Sequence, residues 1–148
     1  MKRRSTSPGP AMIEDLEREG LIKRLPADPK KVADSLLHAR RDLEAARTIR
    51  KTDCDWTYSI AYNAALQAGR ALMFSKGYRP DGSYQHIAVV RFAALFLEEP
   101  DAIQFERMRR KRHTAVYESI GSMSETEADS AVRYAGLLIR KCEEIINR

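Results

Sequence analysis

Trp56-Thr-Tyr-Ser-Ile-Ala-Tyr-Asn-Ala-Ala-Leu-Gln-Ala-Gly-Arg-Ala-Leu-Met-Phe-Ser-Lys-Gly77 decides the fold. Trp56, Ile60, Ala61, Ala64, Ala65, Ala68, Ala71 and Leu72 recur at steps of three and four, the period of one helical face. Five of those eight are alanine, so a neighbouring helix can approach closely. Asp53 or Asp55 can cap the start, and Gly77 ends the helix as a C-cap glycine does.

Working outward, the same period continues. Upstream, Asp28-Pro29 is a helix entry with a capping carboxylate and a proline in the first turn. The helix it opens runs to about Arg50, with Val32, Leu36, Leu37, Leu43 and Ala46 facing inward and His38 at the surface. Before it, a short helix is predicted from Met12 to about Arg24, stopped by Pro26. Downstream, Arg79-Pro-Asp-Gly82 reads as a turn. Ser83 can cap a fourth helix to about Glu98, with Ile87, Val90, Ala94 and Leu97 inward. A fifth spans 101–120, with Pro100 at a break or at its first turn. Ser124-Glu-Thr-Glu127 is a capping box opening the last helix, where Ala131, Ala135, Leu138, Cys142 and Ile145 form the inner face and Val132, Ile139 and Ile146 widen it. No strand pattern or internal repeat is visible. The predicted fold is all-α: an up-and-down antiparallel four-helix bundle with an extra short N-terminal helix. One domain over 12–148 follows a disordered basic tail, 1–11.

Charge is unevenly placed. The chain is 43% hydrophobic and 32% charged, with a formal charge of +5 and a pI of about 9.4. Arg107, Arg109, Arg110, Lys111 and Arg112 crowd into six residues, followed by His113. On this fifth helix Phe105, Met108, Arg112, Ala115, Val116 and Ile120 occupy the apolar stripe, so Arg112 stands where a greasy residue is expected. A guanidinium keeps its proton, and burying it demands a partner. Arg109, His113 and Tyr117 follow at i, i+4, i+8 on the flank. This grouping suits phosphate binding, cleavage beside a phosphate, or a polar helix–helix contact. In the last case Arg112 pairs with Glu44, Glu98 or another carboxylate to fix a dimer.

Other chemistry is not supported. Cys54 and Cys142 are far apart and form no CxxC pair, which predicts reduced thiols and a cytoplasmic location. No apolar run approaches the roughly 20 residues of a membrane span, and no secretory signal is present. His86 has no second ligand at usable spacing, so no metal site or cofactor is expected.

The helix Trp56–Gly77, with its aromatic-plus-Ala run, Arg70-Ala-Leu and terminal Gly, resembles the second bundle helix of HEPN domains. Arg109-Arg-Lys-Arg-His-Thr-Ala-Val-Tyr117 resembles their motif helix, and the likeness covers roughly 35–145. The resemblance implies a dimeric helical bundle. It further implies action as a metal-independent ribonuclease or RNA binder, often a toxin of a defence module beside a small nucleotidyltransferase. In that family an Arg is followed, after four to six residues, by His, and two copies of the motif face each other. Aligning the motif on Arg112 puts Tyr117 at the His position. Aligning Arg107 with His113 keeps both residue types but sets them about 120° apart around the helix. The first frame is preferred because Arg112 lies on the apolar stripe. It assigns Arg112, His113 and Tyr117 to catalysis and Arg107, Arg109, Arg110 and Lys111 to phosphate.

Cleavage by 2′-hydroxyl attack needs a base, an acid for the leaving oxygen and a cation for the developing charge. Histidine titrates near neutrality. A phenol, at ~10 unperturbed, is a poor base at pH 7, so His113 is the expected substitute. Two further uses stay open: a non-catalytic dimeric module that docks a nucleotidyltransferase, and a small-ligand binder with Trp56 and Tyr62 lining a cavity.

Overall fold

A computed structural model describes residues 10–117 and 120–148. Most of the expected tail, 1–9, lies outside the described residues. The described residues are mostly helical and form six helices and one two-stranded ribbon, in the order α1 (Pro10–Arg18), β1 (Ile22–Arg24), α2 (Pro29–Ile49), α3 (Cys54–Ser75), β2 (Tyr78–Pro80), α4 (Gln85–Ala94), α5 (Glu99–Tyr117) and α6 (Glu125–Ile146). The alanine-rich α3 is the central element, packed against α2, α4, α5 and α6. Ala61, Ala64, Ala65, Ala68, Ala71 and Leu72 are all buried along it. Among the described residues no helix is long and apolar enough to cross a membrane.

Local signals set most boundaries. Asp28 accepts a hydrogen bond from Lys30 N at 3.0 Å with Pro29 in the first turn, and Asp53 accepts from Trp56 N at 3.0 Å. Ser124 and Glu127 close a reciprocal capping box. Gly77 (φ 85°) follows the end of α3, in a conformation that costs any residue with a Cβ.

The expected first helix is shorter than its pattern. It stops at Arg18, Gly20 (φ 77°) turns the chain, and Ile22–Arg24 becomes a strand antiparallel to Tyr78–Pro80. Pro80, expected in a turn, is therefore paired with Ile22, and the turn falls at Gly82 (φ 73°). The ribbon ties the α1–α2 connection to the α3–α4 connection. Ser83 does not cap α4: its N-cap is Tyr84, with no side-chain bond. The helix ends at Ala94 and its buried face is Ala88, Val89, Val90, Phe92 and Ala93, so Ile87 and Ala94 are only half-buried. Leu37, Trp56, Val116 and Ile120 were expected inside and are exposed, Ile120 by 94%. Leu37 lies on the outer side of α2, and the other three lie near α-helix ends where the core has already closed.

Asp55, the rejected capping candidate, has another task. Its two carboxylate oxygens accept from Gly121 N and, at 3.1 Å, from Met123 N, tying the α5–α6 connection to the first turn of α3. Charge-assisted bonds at a half-buried site stabilise by about 1–2 kcal/mol together. Asp55→Ala will lower unfolding stability by that amount in urea titration, and Asp55→Asn, which keeps one acceptor oxygen, by about half. An unchanged midpoint for Asp55→Ala would show that the tether is dispensable.

Candidate nucleic-acid interface

The site begins with a missing methyl. A Cβ on Gly69 would lie 2.5 Å from Val89 Cγ1 of α4 and 3.6 Å from Phe105 Cε2 of α5. Only glycine therefore lets α4 close on α3 at this level, while Phe105 of α5 would stand at ordinary contact distance. Phe105 and Met108, fully buried on α5, hold that closure.

Closure brings side chains from three helices to one place. Tyr62 of α3 is fully buried, and its hydroxyl is 3.2 Å from Nδ1 of His86 on α4. The Tyr62 ring lies 5.6 Å from the His86 ring and 6.2 Å from Phe105, between centroids. The Arg112 guanidinium of α5 stands 5.9 Å from the centre of the same ring, within cation–π range. Arg112 Nε is buried and has no hydrogen-bond partner, and among the described residues no carboxylate pairs with the guanidinium. The expected partners are engaged elsewhere: Glu44 lies 3.5 Å from Arg47 and Glu98 lies 3.9 Å from Lys141. Arg70, half-buried on α3, also has no carboxylate partner among the described residues.

Electrostatics follow from this crowding. Burial holds the Tyr62 phenol far above its ordinary range, so it stays protonated. Burial, then the charges of Arg112, Arg70 and Arg109, push the His86 imidazole below its usual value, so it is neutral at pH 7. Burial also depresses Arg70, which remains a cation.

The rest of the basic segment is less available than its composition suggests. Glu106 accepts two bonds from Arg109 at 2.8 Å and a third from Arg110 at 2.8 Å. That bonding, Arg109's first, holds the Glu106 carboxyl below its usual range and raises Arg109. Lys111 pairs with Glu127. Arg107 is exposed and donates to the Gln104 amide oxygen at 3.5 Å. His113 and Tyr117 stack at 4.8 Å between centroids, and both face solvent.

The six-residue basic run is thus split. Arg109 and Arg112 join the cluster on α3 and α4, whereas Arg107, Arg110, Lys111, His113 and Tyr117 line the outer face. Trp56 is exposed and Tyr62 buried, so they line no common cavity. Sequence reasoning missed Arg70 and His86 as site residues and named Tyr62 only as the lining of a ligand cavity. Arg70 carried a signal, a cation inside an alanine-rich helix. His86 carried none, because its neighbours are distant in sequence.

No curated protein matches the chain. The model of the HEPN domain family matches residues 32–145, which takes in every helix but α1. With more than half of its length matched, and with arginines of the motif helix gathered on the alanine-rich helix, this chain belongs to the HEPN domain family.

Proposed function

We propose that this is an RNA-directed HEPN protein of the cytoplasm, built on an up-and-down unit of α2, α3, α5 and α6, in which Arg112, Arg109 and Arg70 hold a phosphodiester. The observation that carries this reading is Arg112: a permanent cation with a buried, unpartnered Nε and no carboxylate. Desolvating a guanidinium costs several kcal/mol unless an anion meets it, and a phosphate matches its planar donor fork. His113, Tyr117, Arg107, Arg110 and Lys111, on the outer face of the same helix, are placed to meet the flanking nucleotides. The protein acts as a dimer whose two motif helices share a cleft, and as a metal-independent ribonuclease of a toxin–antitoxin or defence module.

A second reading rests on a different observation. Asp55 holds Gly121 beside the start of α3, so the exposed Trp56 and Ile120 flank one tether, and Val116 and Tyr117 at the end of α5 are exposed too. That apolar end suits docking of a nucleotidyltransferase or similar partner by a non-catalytic dimer.

Light scattering and RNA cleavage in EDTA test both. A dimer that cleaves RNA, and whose RNA affinity falls steeply with salt as released counterions require, supports the first reading. A dimer that binds no RNA supports the second, and a monomer without RNA affinity overturns both.

A further inference from the structure

We propose that His86 of α4, held by Tyr62, is the residue that moves the proton in RNA cleavage, in place of a histidine on the motif helix. This rests on the ribonuclease reading above. The motif histidine position is Tyr117, a solvent-exposed phenol unsuited to take a proton at pH 7. His113 also faces solvent, on the outer side of α5. His86 is the histidine that stands with all of Arg70, Arg109 and Arg112, whereas the exposed His38 shares a surface groove with Arg70 alone.

Its surroundings fit the role. Tyr62 Oη occupies Nδ1 at 3.2 Å and fixes the ring, leaving Nε2 for a substrate. As acceptor from Nδ1–H, the phenol leaves the Nε2 lone pair for a base. As donor to Nδ1, it leaves Nε2–H for an acid. The charged and titratable groups facing the imidazole are Tyr62 and Arg70 from α3 and Arg109 and Arg112 from α5, with Glu106 drawn towards Arg109. Arg112 and Arg70 beside a neutral imidazole, with Arg109 already bonded to Glu106, supply what a pentacovalent phosphorane needs: charge stabilisation next to a proton carrier.

The step balances within the substrate. Nε2 takes the 2′-hydroxyl proton as the O2′–P bond forms. The P–O5′ bond breaks, and the proton passes to O5′. The products are a 2′,3′-cyclic phosphate and a 5′-hydroxyl, with no metal or co-reactant consumed.

The test compares His86→Gln, His113→Ala and His38→Ala in the full-length protein, scoring cleaved ends, RNA affinity and helical melting. His86→Gln is expected to lower the cleavage rate by about 100-fold or more, with RNA affinity and melting nearly unchanged. His38→Ala, exposed in a groove between α2 and α3 and away from Tyr62 and α5, is expected to cleave at near the wild-type rate. A positioning or packing role is separated by pH. The acid limb of kcat/KM reports the imidazole, and Arg70→Gln removes a cation that disfavours its charged form, so the limb moves to higher pH. Cleavage by His86→Gln at near wild-type rate, or an unmoved limb in Arg70→Gln, overturns this proposal but leaves the ribonuclease reading standing. No cyclic-phosphate ends from wild type overturns both.

Discussion

Arg112→Ala will lower RNA affinity by about 10- to 100-fold at physiological salt while leaving the protein folded. The magnitude follows from one charge-assisted contact made in a partly dry setting, about 1.5–3 kcal/mol, at 1.4 kcal/mol per factor of ten. Arg107→Ala is the internal comparison. Its guanidinium is exposed and screened, so it contributes a less specific phosphate attraction. Both variants lose about one unit of salt slope, but only Arg112 carries the larger affinity loss. Arg112→Lys will fall between them, since a lysine keeps the charge but loses the fork and the flat face against Tyr62. Stability gives a second readout. With no carboxylate to orphan, Arg112→Ala will not reduce the urea midpoint and can raise it. Equal affinity losses for Arg112→Ala and Arg107→Ala would mean that the half-buried Arg112 has no special hold on phosphate.

The largest stability effect belongs to Phe105→Ala, with an expected loss of about 3–5 kcal/mol in denaturant unfolding. Phe105 is 1% exposed and lies against Tyr62 and beside Gly69. Its removal forfeits the transfer free energy of an aromatic ring and leaves a void that α3, α4 and α5 cannot jointly fill. Phe105→Leu, which keeps much of the volume, will lose far less. A domain of this size has about 5–15 kcal/mol in total, so Phe105→Ala sits near the edge of folding at 37 °C. A loss under 1 kcal/mol would mean that the three-helix junction repacks freely.

Sequence reading succeeded where the physics is local. Asp28, Asp53 and Ser124 cap their helices because a side-chain oxygen two or three residues from an orphan amide needs nothing from the rest of the chain. The inner face of α6 was legible because its whole length packs against α3. The stripe on α5 was legible only in part. Periodicity marks Phe105, Met108 and Ala115 correctly but cannot tell where the partner helix ends, and so Val116 and Ile120 were placed inside. The two strands were missed because three residues carry no alternation. Arg112 stood out as a buried cation, yet its neighbour proved to be an aromatic face and not a carboxylate. Tyr62 and His86 were illegible as a pair: 24 residues separate them, and only the meeting of α3 with α4 makes them neighbours.

Gly69 carries a consequence beyond packing. Because one absent carbon lets Val89 of α4 seat on α3, the position of His86, three residues earlier on that helix, is set from the interior. The polar chemistry of this protein is therefore inherited from its hydrocarbon interior. Evolution can exchange outer arginines cheaply, but any enlargement at that seat pushes on α4 and moves the imidazole relative to the guanidinium.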